Sequence, residues 1–219
     1  MDQTSVNLVS PGKKTVSHKG AKQVAVRRPP GTKIKYTVTL LIRANGEKLP
    51  AIVVFKTASK NGKLPPREKK KYDIFENVMV TASNSGWWNG VLDRELVEWL
   101  FPHKTKTTTI FMRDQFPGHK KESTSQLLED RNVLQLFIPS GRTGTYQPLD
   151  VLINKIFKDL MAKKYHAWRL KNAHEITNSG NMKNPKKQDF VKWISESWAE
   201  ITPDQIKKAF HGGCWKFVQ

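Results

Sequence analysis

The chain has 219 residues, 37% hydrophobic and 10% aromatic, with 38 Lys and Arg against 19 Asp and Glu, a net charge of +19. The apolar mass is enough for a core and excludes full intrinsic disorder, while no apolar run approaches the ~18 residues of a membrane span. The length fits one domain or one domain with a small appendage, and the single cysteine, Cys214, excludes a disulfide framework.

The opening Met1-Asp2-Gln3-Thr4 lacks a basic segment followed by an apolar one, so the expectation is a soluble, intracellular protein. Gln23-Val24-Ala25-Val26 reads as a short strand. Residues 36–43 and 51–55 are rich in β-branched residues, and the Asn45-Gly46 pair between them predicts a hairpin. Residues 57–73, with Asn61-Gly62, Pro65-Pro66 and a lysine run, read as a loop, and residues 78–82 return to strand. Val91, Leu92, Leu96, Val97 and Leu100 predict an amphipathic helix ending near Pro102. Trp87, Trp88 and Trp99 are expected in the core or beneath a loop.

A strand over 107–112 follows, then a helix over 120–130 and a buried strand over 133–138. From Pro148 a long helix runs to about Leu170, with Leu152, Ile153, Ile156, Phe157, Leu160 and Met161 on its buried face. Residues 175–188 are polar and read as a linker. Two short helices close the chain, the second opening on Thr202-Pro203-Asp204-Gln205, a capping-box spacing with Pro at the first helical position. The order gives a hairpin-bearing mixed sheet flanked by helices, hence α/β or α+β.

Unpaired Lys and Arg are too costly to bury, so the charge surplus coats the surface. A polyanion, nucleic acid above all, is the natural partner; a basic surface tuned only for solubility is the bland alternative. The dense runs are Arg27-Arg28, Lys69-Lys70-Lys71 and Lys163-Lys164. The run Arg67-Glu68-Lys69-Lys70-Lys71 suits a nuclear address, a phosphate-contacting loop or a solvated linker.

Carboxylates are scarce. Asp114 ends the strand over 107–112, and Asp150 opens the long helix, with Asn154 and Lys158 following it on the same face one and two turns on. A strand-end and a helix-start carboxylate can converge on a divalent cation, which relieves their repulsion. The plain alternatives are a turn residue for Asp114 and a dipole-complementing residue for Asp150.

Three segments carry a resemblance: Met1-Asp2-Gln3-Thr4; Arg113-Asp114-Gln115-Phe116-Pro117-Gly118-His119; and the run from Gln147-Pro148-Leu149-Asp150 to Lys158. They resemble the three aspartate segments of pogo-type transposases, members of the DDE endonuclease superfamily with Tigger, jerky and centromere-protein-B-like relatives. The resemblance implies a ribonuclease-H-like endonuclease domain over 1–174, a linker over 175–188 and a helical tail over 189–219. It implies Asp2, Asp114 and Asp150 as catalytic metal ligands for Mg²⁺ (or Mn²⁺), with His119 and Asn154 supporting them. DNA is the implied partner, contacted by Arg67, Lys69, Lys70, Lys71, Lys155 and Lys158, in the nucleus and with no membrane; a homo-oligomer is compatible. Two metals in such a site activate the attacking oxygen and stabilise the leaving one.

The chain starts one residue before Asp2 and lacks the helix-turn-helix region that these transposases use to find transposon ends. The expectation is therefore a truncated copy with a frayed first strand. Two other classes remain open: a non-enzymatic DNA-binding or chromatin module on the same scaffold, and a basic RNA-binding protein. No aromatic-rich RNA-binding signature supports the last.

Overall fold

The Asn45-Gly46 turn forms as the sequence predicts. In the computed structural model, which describes residues 1–10, 18–22, 31–173, 175–178 and 180–213, Gly46 has φ +99° and its N–H donates to Arg43 O. A left-handed φ of this kind is cheap only without a Cβ. The turn joins β2 (Lys35–Leu40) to β3 (Ala51–Lys56) as an antiparallel pair. On the other side of β2 lies β1 (Asp2–Asn7), antiparallel over all six residues from Asp2↔Leu40 to Asn7↔Lys35. The expected fraying of the first strand is thus not seen. The strand expected at 23–26, Arg27-Arg28 and Cys214 lie outside the described residues.

A crossover from β3 leads to β4 (Val78–Ser83), parallel to β3, and completes a mixed four-stranded sheet in the order β1-β2-β3-β4. The crossover is not all loop: α1 (Pro66–Lys69) forms within it, with Pro in its first turn. Then come α2 (Gly90–Leu100), β5 (Thr109–Arg113), a 3-10 turn (Pro117–Lys120), α3 (Glu122–Asp130) and β6 (Val133–Phe137). β5 and β6 pair in parallel as a separate two-stranded sheet. Met1, just ahead of β1, donates its ammonium to Met112 O on β5 at 2.8 Å. After α4 (Thr143–Tyr146), a π-helical turn (Leu149–Ile153) runs straight into α5 (Asn154–Lys171), followed by α6 (Lys187–Glu200) and α7 (Pro203–Gly212).

β3 explains the layering. Its continuous apolar run is buried on both faces, as expected of a central strand with helices above and below. Ala51, Val53 and Phe55 join a core with Phe157, Tyr165, Phe190 and Trp198 from α5 and α6; Ile52 and Val54 join another with Leu92, Leu96, Val97 and Leu128 from α2 and α3. The C-terminal helices are part of the first core, since Val191, Ile194, Ile201 and Ile206 are buried in it. Trp198 Nε1 also donates to Leu49 O at 2.8 Å, pinning α6 to the hairpin. The Thr202–Gln205 capping box forms, with Pro203 in the first turn of α7. Among the described residues no helix is long and apolar enough to cross a membrane.

Three burial expectations change. Val91 is 66% exposed, because 100° per residue puts it opposite the inward arc of Asp93, Leu96 and Leu100. Trp88 is buried, but Trp87 and Trp99 stand well out in solvent. In β6 the inward set is Val133, Gln135 and Phe137, so strand alternation turns Leu134 and Leu136 outward.

Candidate functional site

Strand parity aims Asp2. Asp2, Thr4 and Val6 share the buried face of β1, and Val6 belongs to the core beneath α5. Asp2 therefore points at the start of α5, where the π turn carries exposed Asp150 and the first helical residue is buried Asn154. The Asn154 amide Nδ2 donates to Asp2 Oδ2 at 2.6 Å and to Asp150 Oδ1 at 2.9 Å. One side-chain amide thus bridges two carboxylates that lie far apart in the sequence. Gln147 Nε2 donates to Met1 O at 3.1 Å and fastens the same strand end from the other side.

Asp114 follows the last residue of β5 and is held by a different set. His119 Nδ1 lies 2.9 Å from Asp114 Oδ1, and Phe116 N–H donates to the same oxygen at 3.3 Å. Gln3, on the opposite face of β1 from Asp2, places Nε2 3.2 Å from His119 Nε2. Asp93 Oδ1 lies 3.5 Å from the same Nε2, so the ring is held between the Asp114 turn, β1 and α2. The turn between Asp114 and His119 needs Gly118, where a Cβ would overlap the Phe116 ring.

Beneath this turn lies a charged pair that sequence reasoning missed. Arg113 Nη1 donates to Asp93 Oδ2 at 2.8 Å and to Oδ1 at 3.1 Å, with both side chains fully buried. Arg113 Nη2 donates to His119 O at 2.9 Å and to Gln135 Oε1. Trp88 Nε1 donates to Asp93 Oδ1 at 3.3 Å, which is why Trp88 alone of its pair turns inward. Because Arg113 precedes Asp114, anchoring its guanidinium fixes the strand end that presents Asp114. The signal available in sequence was Asp93 itself, a carboxylate on the apolar arc of a helix.

The electrostatics separate the carboxylates. Burial pushes the Asp2 carboxyl up to about 6, and the neighbouring Asp150 charge adds to the rise; the Asn154 hydrogen bond and the Met1 ammonium oppose it, and Asp114 adds a smaller increase. Asp114 is also pushed up by burial, but His119, the Phe116 N–H and the N-terminal ammonium outweigh that and hold it below its ordinary value. Burial pulls the Met1 ammonium down to about 6, against the opposing pull of Asp2.

Asp2, Asp150 and Asn154 are thus brought together, with Asp114 electrostatically coupled to Asp2 but held by His119. Among the described residues no three His, Cys, Asp or Glu side chains stand close enough to hold a metal ion. Like-charge repulsion keeps such a cluster open, and Asn154 occupies the space between two of its members. The donor chemistry still suits a hard divalent cation: carboxylate oxygens, and an Asn154 Oδ1 that is buried with no hydrogen-bond partner.

Of the basic residues singled out in sequence, Lys155 and Lys158 are exposed on α5 beside Asn154. Arg67, Lys69, Lys70 and Lys71 are also exposed, but at the far end of the sheet. Tyr72 packs on Phe55 at the end of β3, level with the Asn7 end of β1, about 16 Å from Asp2 at ~3.3 Å per strand residue.

Comparison with known proteins agrees with this architecture. Residues 33–210 match the family model described as DDE superfamily endonuclease; that range contains Asp114 and Asp150 but not Asp2. The chain is 28% identical over 214 residues to a human (Homo sapiens) protein named pogo transposable element with KRAB domain, and 26% identical to its Mus musculus counterpart. These alignments cover 95% of this chain and 34% of each relative, so the chain spans about a third of their length. Its fold is similar to that of the Mos1 transposase in a paired-end complex with the left transposon end (TM-score 0.56, 15% identity) and in the Mos1 strand transfer complex (0.57, 14%). Each comparison covers 99% of this chain and about half of the Mos1 chain, 52% and 51%. With the family model matching most of its length, the chain belongs to the DDE superfamily endonucleases.

Proposed function

We propose that the chain is a transposase-derived, DNA-binding domain that cleaves phosphodiester bonds with Asp2, Asp114 and Asp150 and a divalent cation, Mg²⁺ or Mn²⁺, in the nucleus. The observation that carries this reading is the Asn154 amide shared by Asp2 and Asp150, which brings a β1 carboxylate and one from the π-helical turn before α5 to one point. The cations, when bound, activate the attacking oxygen and stabilise the leaving one. Asp2 and Asp150 would hold one cation, with Asn154 steadying both carboxylates and offering its unpartnered oxygen. Asp114 would serve the second, kept ionised and oriented by His119. Exposed Asp150, Lys155 and Lys158 leave the site open to a phosphate backbone, and the net charge of +19 supplies its attraction.

The test is nicking of supercoiled plasmid in Mg²⁺ or Mn²⁺, with Mn²⁺ binding followed by electron paramagnetic resonance. Nicking and Mn²⁺ binding are expected in the wild type and lost in Asp114→Ala and Asp150→Ala. Nicking that survives both substitutions would sink the assignment. One observation favours a second reading, a non-enzymatic DNA-binding module: the described residues present no ready metal cluster. Salt-dependent duplex binding without nicking or Mn²⁺ binding would select it.

A further inference from the structure

β4 is the outer strand of the four-stranded sheet and pairs on one side only, with β3. Hydrogen-bond parity shows which of its peptide groups are left over. Asn77 O accepts from Ala51 N–H and Ser83 O accepts from Thr57 N–H, so the odd-numbered positions bond toward β3. Val80 and Ala82 turn their N–H and C=O groups the other way, and among the described residues no peptide group from another element meets them. A slot of about 380 Å³ runs along this edge from Val80 to Asn84. An unpaired strand edge with space beside it accepts an added strand.

The walls define the occupant. One wall is the crossover from β3, with Lys63, Leu64 and Lys69; the other is the start of α2, with Val91, Leu92 and Glu95. Leu64 packs on the core shared with α5 and α6, and Leu92 belongs to the core shared with α3, so the walls stand on opposite faces of the sheet. A strand added to β4 alternates its side chains between them. Positions toward the crossover meet exposed Lys63 and Lys69 and call for a carboxylate. Positions toward α2 meet Val91, 66% exposed, and call for an apolar side chain.

Lys63 Nζ reaches Glu95 Oε1 across the slot at 3.3 Å, a solvent-exposed pair that an incoming carboxylate can displace at little cost. Asn84 Nδ2 donates to Ser59 O at 2.9 Å and ties the crossover to the end of the slot. The lining strand segment, Val80 to Asn84, spans about 16 Å at ~3.3 Å per residue, which sets the length of the occupant. Two other occupants fit less well. Duplex DNA would set phosphate oxygens against the Val80 and Ala82 carbonyls, and a second copy paired edge to edge would bring like lysines together.

We propose that the free edge of β4 is a docking site for a short, extended segment of a partner protein, alternately acidic and apolar, which adds a strand to the sheet. The proposal stands on backbone parity and on the charge of the walls. It is independent of whether the aspartates cleave DNA.

The experiment is amide hydrogen exchange by NMR on the full chain, with an acetylated, amidated Val-Glu-Val-Glu-Val peptide as probe. Saturable slowing of exchange at Val80 and Ala82 by roughly tenfold is expected, with Leu134 in β6 unchanged. The corresponding Val-Lys-Val-Lys-Val peptide and the fully N-methylated glutamate peptide are expected to give no slowing. Glu95→Gln, which frees Lys63, should tighten binding about threefold, and Lys69→Glu should weaken it about tenfold. Melting curves of both variants separate changed binding from changed fold. No slowing at saturating glutamate peptide, equal slowing by either control peptide, or affinity unmoved by both substitutions overturns the proposal. So does slowing at Val80 and Ala82 produced by a DNA duplex alone, or by raising the protein concentration alone, which would give the edge to DNA or to a second copy.

Discussion

Two buried aspartates, Asp93 at 0% and Asp2 at 7% exposure, lie on opposite faces of the strand layer with opposite company. Asp93 has a buried guanidinium on both its oxygens and an indole N–H on one, so its charge is answered within the fold. Asp2 has a second carboxylate as its neighbour and a neutral amide as its chief partner, and its carboxyl is pushed up to about 6. A buried charge that the protein neutralises is architecture. One left under-compensated beside a like charge is a place where stability has been given up for a ligand or a reaction.

The comparison breaks most visibly at Arg113. Arg113→Met strands the Asp93 carboxylate without its cation, and removing one partner of a buried pair costs roughly 3–5 kcal/mol. Chemical denaturation at pH 7 should show a loss in that range, largely recovered in the double variant Asp93→Leu with Arg113→Met. A single-variant loss below about 1 kcal/mol would mean that Asp93 is not anchored as the geometry indicates.

Asp2 should respond in the opposite direction. Its carboxyl titrates near 3.8 unfolded and about 6 folded, so between those values the native state holds more protons than the unfolded one. Stability from this group is therefore fully present below about pH 4 and is lost as pH rises to about 6, a difference of roughly 3 kcal/mol. Asp114, held below its ordinary value, acts in the reverse sense: its contribution is present above the unfolded carboxylate range and is lost as pH falls through its lowered value. Asp2→Asn should flatten the pH 4–6 slope and raise stability at pH 7. A divalent cation at a hundredfold its Kd should return about 2.7 kcal/mol to the wild type and little to the variant. Denaturation curves at pH 4, 5, 6 and 7 with and without Mg²⁺ measure both effects, and a slope of the opposite sign would reverse the contrast with Asp93.

Asn154 sharpens the contrast on a smaller scale. Asn154→Ala removes both bridging hydrogen bonds, costing on the order of 1–2 kcal/mol, and takes away a partner that holds the Asp2 carboxyl down. The Asp2 midpoint should move above 6, read from the pH dependence of its side-chain carboxyl ¹³C shift.

How far this contrast is legible in the sequence depends on the range of each interaction. Asp150 and Asn154 share a helix face by spacing alone, and Asn45-Gly46 announces its hairpin, because both are local geometry. Asp114 is legible as a carboxylate at a strand end, whereas Asp2 is reached only through its segment's resemblance to a transposase one. Asp93 escaped because its partner lies twenty residues away on another element, and nothing in helix periodicity names a strand arginine. The inward Trp88 and outward Trp87 follow from that missed contact, as do Gln135 and the outward leucines of β6.

The smallest effect concerns the surface rather than the buried pair. Lys155 stands one residue from Asn154, its side chain 83% exposed, with Asp159 Oδ2 at 3.7 Å. An exposed pair at that separation contributes little, so Lys155→Ala should leave the melting temperature almost unchanged. Its effect should emerge in duplex binding, where losing one phosphate contact lowers the slope of log K against log salt by about 0.9. Lys69→Ala, at the far end of the sheet, provides the control for position. If both variants lower the slope, the duplex lies along the sheet from the carboxylates to α1; if only Lys155→Ala does, contact is confined to the α5 end, where the under-compensated carboxylates are.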